Sequence, residues 1–167
     1  MANTILITDA GLAEVVNAEQ SGTAPVVITE VGYGTGQYTP TGDMTALKEE
    51  FKRLTTIAGG AVGDNVIHLA ARDDSAEAYT VYEVGLYTAS GTLFAVCSQT
   101  VPIIQKASQS QALLAIDLAV TDFSADSIAF GDTNFLNPPA TTTTLGVVEL
   151  ATNEETIAGT DGTRAVT

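Results

Sequence analysis

The chain has 167 residues, 45% of them hydrophobic, with a mean hydropathy of +0.22, so it carries enough apolar material for a core and is not generally disordered. Its 20 acidic residues against 6 basic ones give a formal net charge of −14, which argues against a nucleic-acid backbone or an anionic membrane surface as partner. Cys97 is the single cysteine, which excludes an intrachain disulfide and a cysteine-based zinc site.

The opening MANTILITDAG lacks a basic region and its apolar run is too short for a signal peptide, so synthesis in the cytoplasm without a cleaved leader is expected. No segment approaches the ~20 apolar residues of a membrane span. ITDAGLAEVVNAEQSG predicts a helix: Thr8 or Asp9 can cap its start, Leu12, Val15, Val16 and Glu19 follow helical spacing, and Gly22 suits the stop. APVVITEVGYG, residues 24–34, predicts a strand with Val26 and Ile28 on one face and Val27 and Val31 on the other.

The glycine-rich GYGTGQYTPTG, residues 32–42, reads as a turn between that strand and a helix. No Lys-Ser or Lys-Thr follows it, as a phosphate-binding P-loop requires, and the spacing of Gly32, Gly34 and Gly36 is not that of a dinucleotide fingerprint. In DMTALKEEFKRLT, Met44, Leu47, Phe51 and Leu54 recur with helical spacing. They predict a second helix, capped by Asp43 and bearing a Glu49–Arg53 pair on its wet side.

Four strands are then predicted at 65–72, 79–88, 92–100 and 111–120, separated by turn-rich pieces, with Ala89-Ser90-Gly91 as a hairpin loop. This order predicts an α+β class, with a small amino-terminal domain of two helices and a mainly antiparallel sheet over residues 1–122. Residues 123–139, with Pro138-Pro139, read as an extended linker.

Residues 140–167 form a second small unit, with a short strand signal in LGVVEL and a capping box in Thr152-Asn153-Glu154-Glu155. Ile157 and Ala158 complete a turn of helix that Gly159 closes. Its apolar residues Leu145, Val147, Val148, Leu150, Ile157 and Val166 are too few to offset a backbone ordering cost of about 1–2 kcal/mol per residue. The expectation is that copies of the chain cover them.

Catalytic patterns are missing. His68, the sole histidine, alternates in a strand on the face of Val66 and Ala70, where a packed or surface role is expected, and Cys97 sits in the apolar TLFAVCS as a small buried hydrophobe. Glu49-Glu50 and Asp73-Asp74 are adjacent in sequence, on a polar helix face and in a turn, which does not create two opposed carboxyls across a sugar bond. Asp9, Asp117, Asp122 and Asp126 lack calcium-loop spacing. Lys48, Lys52 and Arg53 are the densest basic cluster, beside Glu49 and Glu50. The expectation is no catalytic residue, no cofactor and no metal.

Two stretches carry a family resemblance. ATTTTLGVVELATNEETIAGTDGTRAVT, residues 140–167, resembles the phage tail-fibre repeat through Gly146 to Thr152, Ala158 to Asp161, and Ala165 to Thr167. Residues 1–122 resemble the tail-collar fibre domain through Ile7 to Gly11, Val31 to Gly34 leading into Thr45 to Leu47, and above all EVGLYTASGTLFAV. The resemblance implies a fibre of a contractile-tailed phage or of a phage-tail-like bacteriocin. It implies a homotrimer whose amino-terminal domain attaches to the tail baseplate. The host surface receptor is then met by a distal region beyond these residues, and Leu145, Val147, Val148, Leu150, Ile157 and Val166 become candidate trimer-interface residues. Members of that family continue into further shaft and commonly depend on an assembly chaperone. The alternatives are a tailspike-like glycan depolymerase or a sugar-binding adhesin module.

Overall fold

The structure, a computed structural model, describes residues 5–21, 25–61, 66–120, 125–130, 150–159 and 165. In chain order its elements are β1 (Leu6–Ile7), α1 (Asp9–Ser21), β2 (Val26–Gly34), β3 (Glu50–Leu54), β4 (Ile57–Ala61) and β5 (Val66–Asp73). They continue with β6 (Tyr79–Val81), β7 (Glu83–Thr88), β8 (Leu93–Ser98), β9 (Ile104–Lys106), β10 (Ala112–Ala119), a 3-10 turn at Ala125–Ser127, β11 (Ile128–Phe130) and α2 (Asn153–Ala158). Two compact units result, Met1–Thr133 and Asn134–Thr167.

Helix α1 begins where the sequence places it. The Thr8 hydroxyl accepts the Gly11 amide at 3.0 Å and donates to the Leu93 carbonyl at 2.5 Å, so one side chain both caps the helix and ties it to β8. Gly11 lies against the Phe94 backbone, where a Cβ would come within 2.6 Å of the carbonyl oxygen. Val15 is fully buried, whereas Val16 is 36% exposed. Gly22 lies outside the described residues.

The front unit is α+β with mainly antiparallel sheets. Its largest sheet runs β1-β8-β7-β2-β11, with β3 also paired to β2; a second runs β10-β5-β4, and β6 pairs with β9. All pairings are antiparallel except β11 on β2. The core joins the large sheet to the second one: Ile28, Val31 and Leu86 of the first belong to one buried cluster with Ile57, Ile67 and Leu69 of the second, and Val15 of α1 joins them. Along β5 the inward residues Ile67, Leu69 and Ala71 alternate with the half-buried Val66, His68 and Arg72, and the pattern breaks only at Ala70, which is buried on the outer face.

The structure departs from the sequence expectation in several places, and β1, β4 and β9 form where no strand is expected. Residues 43–55 are not a helix: 43–49 are irregular, and Glu50–Leu54 form β3, with Leu54 opposite Val31 and Lys52 opposite Tyr33. The helical stripe is dispersed, Leu47 and Leu54 being buried while Phe51 is 45% exposed. The cause is tertiary. The amides of Lys48 and Glu49, which a helix would give to carbonyls one turn back, are held instead by the buried carboxylate of Glu83. Arg53 accordingly pairs with Glu50 and Glu30, at 2.6 and 2.9 Å, rather than with Glu49.

In β2 the register against β7 shifts between Ile28 and Glu30. This bulge turns Val31 onto the core face of Val26 and Ile28, where strict alternation puts it opposite them. The run 79–88 divides at Tyr82 into β6 and β7, which belong to different sheets. Of the expected linker 123–139, residues 125–130 form the 3-10 turn and β11, and Ile128 to Phe130 pair with Val26 to Ile28. The remainder of that stretch is outside the described residues.

In the second unit, Thr152 caps α2 in a full capping box with Glu155, and Gly159 closes it in the left-handed region at φ 62°. Leu150 bridges to Ala165 in parallel, with the Ala151 amide on the Ala165 carbonyl at 2.9 Å. No residue of α2 is buried.

Candidate functional site

Strand β7 is buried along its whole length, and it begins with a charged residue. Glu83 is 0% exposed. Its Oε1 accepts the amides of Gly36 at 3.1 Å and Glu49 at 2.7 Å. Its Oε2 accepts the Lys48 amide at 3.1 Å and the Tyr38 hydroxyl at 2.5 Å. A carboxylate removed from water is tolerable only when its lone pairs are filled, and here four donors fill them. The glycines make the room: a Cβ on Gly34 would stand 2.2 Å from Glu83 Oε1, and one on Gly36 would stand 2.8 Å from it.

All four donors belong to residues 35–49, a loop folded around one buried acid. Its ends meet, with the Thr35 amide on the Glu49 carbonyl at 3.1 Å and the Thr35 hydroxyl on the Glu49 carboxylate at 2.8 Å. Ser98 pins the first half, accepting the Tyr38 amide and donating to the Gly36 carbonyl, both at 3.0 Å. The start of α1 pins the middle through the Asp9 amide on the Gly42 carbonyl at 2.8 Å. The second half is held by an apolar cluster of Leu47 with Tyr87, Leu93 and Val96, against which Met44 packs. The Tyr87 hydroxyl accepts the Leu47 amide and donates to Glu50 at 2.7 Å, while its ring lies 3.6 Å beneath the Arg53 guanidinium. Burial, and then the bond to Glu50, push the Tyr87 hydroxyl up to about 12; burial, and then Glu83, likewise raise that of Tyr38.

A second polar cluster closes the turn between β5 and β6. The carboxylate of Asp73, 4% exposed, meets the Lys52 ammonium at 3.0 Å, the Tyr79 hydroxyl at 2.5 Å and the Ser75 amide at 2.9 Å. Lys52 also pairs with Glu77, and the buried Lys106 ammonium donates to the backbone carbonyls of Ser75 and Glu77.

Residues 1–129 match the family model of the phage tail-collar fibre protein, N-terminal domain. The chain belongs to that family. The matched stretch reaches into β11, so it takes in the described strands of the large sheet almost to their end. Comparison with curated proteins and with solved structures gave no match. The role of a tail-collar fibre protein is structural, in the tail of a phage particle.

In this fibre chain the residues singled out for chemistry are engaged in packing and pairing. His68 Nδ1 lies 2.6 Å from Asp117 Oδ1 across the β5–β10 ladder, on an exposed face. Cys97 is buried, and burial raises its thiol above the ordinary range. Glu49 and Glu50 serve Thr35 and Arg53; Asp73 serves Lys52, and Asp74 lies 3.6 Å from Arg72. The basic cluster is divided likewise: Lys48 stacks 4.3 Å over the Tyr38 ring, while Lys52 and Arg53 face carboxylates. Among the described residues no group of three or more His, Cys, Asp or Glu could hold a metal ion.

Of the candidate interface residues, Leu150 is 58% and Ile157 86% exposed. Leu145, Val147, Val148 and Val166 lie outside the described residues. The organising role of Glu83 is what residue patterns missed. The available signal was a lone acid heading an unbroken apolar run, EVGLY, with no cation near it in sequence.

Proposed function

We propose that this chain is the amino-terminal part of a trimeric tail fibre. The front unit fixes the fibre to the tail baseplate, and a more distal region engages the host surface receptor. Residues 140–167 open the shaft. The observation that carries the reading is the family match over residues 1–129 followed by a second unit whose apolar side chains Leu150 and Ile157 face solvent. A capped helix with no buried residue gains nothing from its own packing, and two further copies around a three-fold axis supply the missing surface.

Sedimentation of the full chain over a range of concentrations tests the trimer. The expected result is a trimer that Ile157→Asp converts toward monomer while the thermal midpoint of the front unit stays unchanged. A wild-type monomer at every concentration overturns it. Attachment is tested by incubating the chain with tails purified from the particle that encodes it after disruption of the fibre gene. Co-sedimentation supports the baseplate role, and its absence overturns it.

A further inference from the structure

We propose that the loop 35–49 is the face through which the front unit docks to its protein partner on the tail, an inference that rests on the attachment reading above. The loop is long and without helix or strand, and irregular segments of this length in compact domains are usually functional. It is nevertheless fixed in shape along its length: by Glu83 beneath it, by Ser98 in its first half, by the start of α1 at its middle and by the Leu47 cluster at its end.

A buried carboxylate is a poor stabiliser, since apolar residues of like volume commonly serve as well or better. What Glu83 provides is a specified shape. A loop shaped in advance loses little freedom on binding, which is where preorganised surfaces gain affinity.

The outer side of the loop supports the same reading. While the inner atoms face Glu83, the side chains of Gln37, Thr39, Thr41, Asp43 and Thr45 are exposed. This is a hydroxyl-rich surface with one amide and one carboxylate, suited to the hydrogen-bonding complement of another protein. A glycan fits it less well. The only aromatic residue of the loop, Tyr38, has its hydroxyl on Glu83 and one face of its ring under Lys48, so its hydroxyl and that face are already engaged.

The test uses the full chain and tails lacking the fibre, prepared as above. The loop variant Thr39→Arg/Thr41→Arg/Thr45→Arg places three bulky cations on the outer side without touching Glu83. Leu113→Arg on the exposed face of β10 is the control. The expected result is tail binding at least tenfold weaker for the loop variant, at unchanged thermal midpoint and oligomeric mass, with the control binding like wild type. Amide exchange of the tail-bound wild type should slow within residues 37–46.

Wild-type binding retained by the loop variant overturns the docking face and leaves the attachment reading standing. Failure of the wild type to bind tails overturns the attachment reading, and the docking face with it. Loop-dependent binding to host cells or their glycans, in place of tails, overturns the choice of a protein partner.

Discussion

Gly34 and Glu83 stand opposite each other in the β2–β7 ladder, and the Glu83 carboxylate occupies the space a side chain on Gly34 would need. The glycine is therefore the complement of the acid. Gly34→Ala drives a methyl group into the carboxylate and displaces it from its donors. Glu83→Ala strands one buried amide, two partly buried ones and a tyrosine hydroxyl, so a loss of about 3 kcal/mol is expected in denaturant unfolding. Glu83→Gln keeps one acceptor oxygen and turns a donor toward donors, with an expected loss of about 1–3 kcal/mol. Equal stability of wild type and Glu83→Ala would contradict the assignment.

The Asp73 cluster makes stability sensitive to acid. Burial by itself raises the Asp73 carboxyl, but the hydrogen bonds from Tyr79, Ser75 and Lys52 outweigh it and hold the group well below the usual carboxylate range. A depressed folded-state value means that the unfolded chain takes up the proton first. The contribution is therefore complete above the unfolded value of about 4 and declines as pH falls below it. The stability gap between wild type and Asp73→Asn should be full at pH 7 and narrow steadily between about pH 4 and pH 2. A gap independent of pH in urea titrations would rule this out.

At the alkaline end the sign reverses. Tyr33, Tyr38, Tyr79 and Tyr87 all have hydroxyls raised by burial, and nearby carboxylates add to the effect: Asp73 for Tyr33 and Tyr79, Glu83 for Tyr38, Glu50 for Tyr87. The unfolded chain loses these protons first, so their contribution is complete below about pH 10 and falls as pH rises through the folded-state values. Unfolding should become easier between about pH 10 and pH 12, with the tyrosinate absorbance of these four residues appearing together in one cooperative step. Smooth ionisation of all four from about pH 10 in the folded protein would refute their burial.

In the second unit the capping box and the Gly159 cap stabilise α2 locally, and the helix itself buries nothing. Thr152→Ala should cost about 1 kcal/mol of helix stability and speed amide exchange at Glu155 by roughly fivefold. The front unit should retain its unfolding midpoint. No change in exchange at Glu155 would show that contacts beyond the cap hold the helix.

What the sequence made legible was local. The cap at Thr8, the stripe through Leu12 and Val15, the alternation of β5 and β10 and the apolar run of β8 are decided by near neighbours, and each element forms where its pattern lies. The Thr152–Glu155 box forms for the same reason. The failures share a different cause. Met44, Leu47, Phe51 and Leu54 satisfy helical spacing, but Glu83 is 34 residues from Glu49 in sequence and claims the amides on which that helix depends. The bulge before Glu30 leaves no mark in composition, and Ile128 to Phe130 form a strand only because β2 offers an edge. At the candidate site the glycine-rich stretch is read as a turn into a helix, whereas Gly32 and Gly34 belong to β2 and the loop after them leads into β3. The acid about which that loop folds could not be read from the glycines.

The pairing of β11 with the first half of β2 has a consequence for how the protein is made. Val26 waits for Ile128 as its neighbour, and a contact spanning so much of the chain is slow to form. A nascent chain leaving the ribosome carries that flank of β2 unpaired until Ile128 to Phe130 have emerged, and an open strand flank is where growing chains misassemble. Completion of the front unit is thereby timed to the arrival of its own last strand, so that a copy is whole only once Phe130 has left the ribosome.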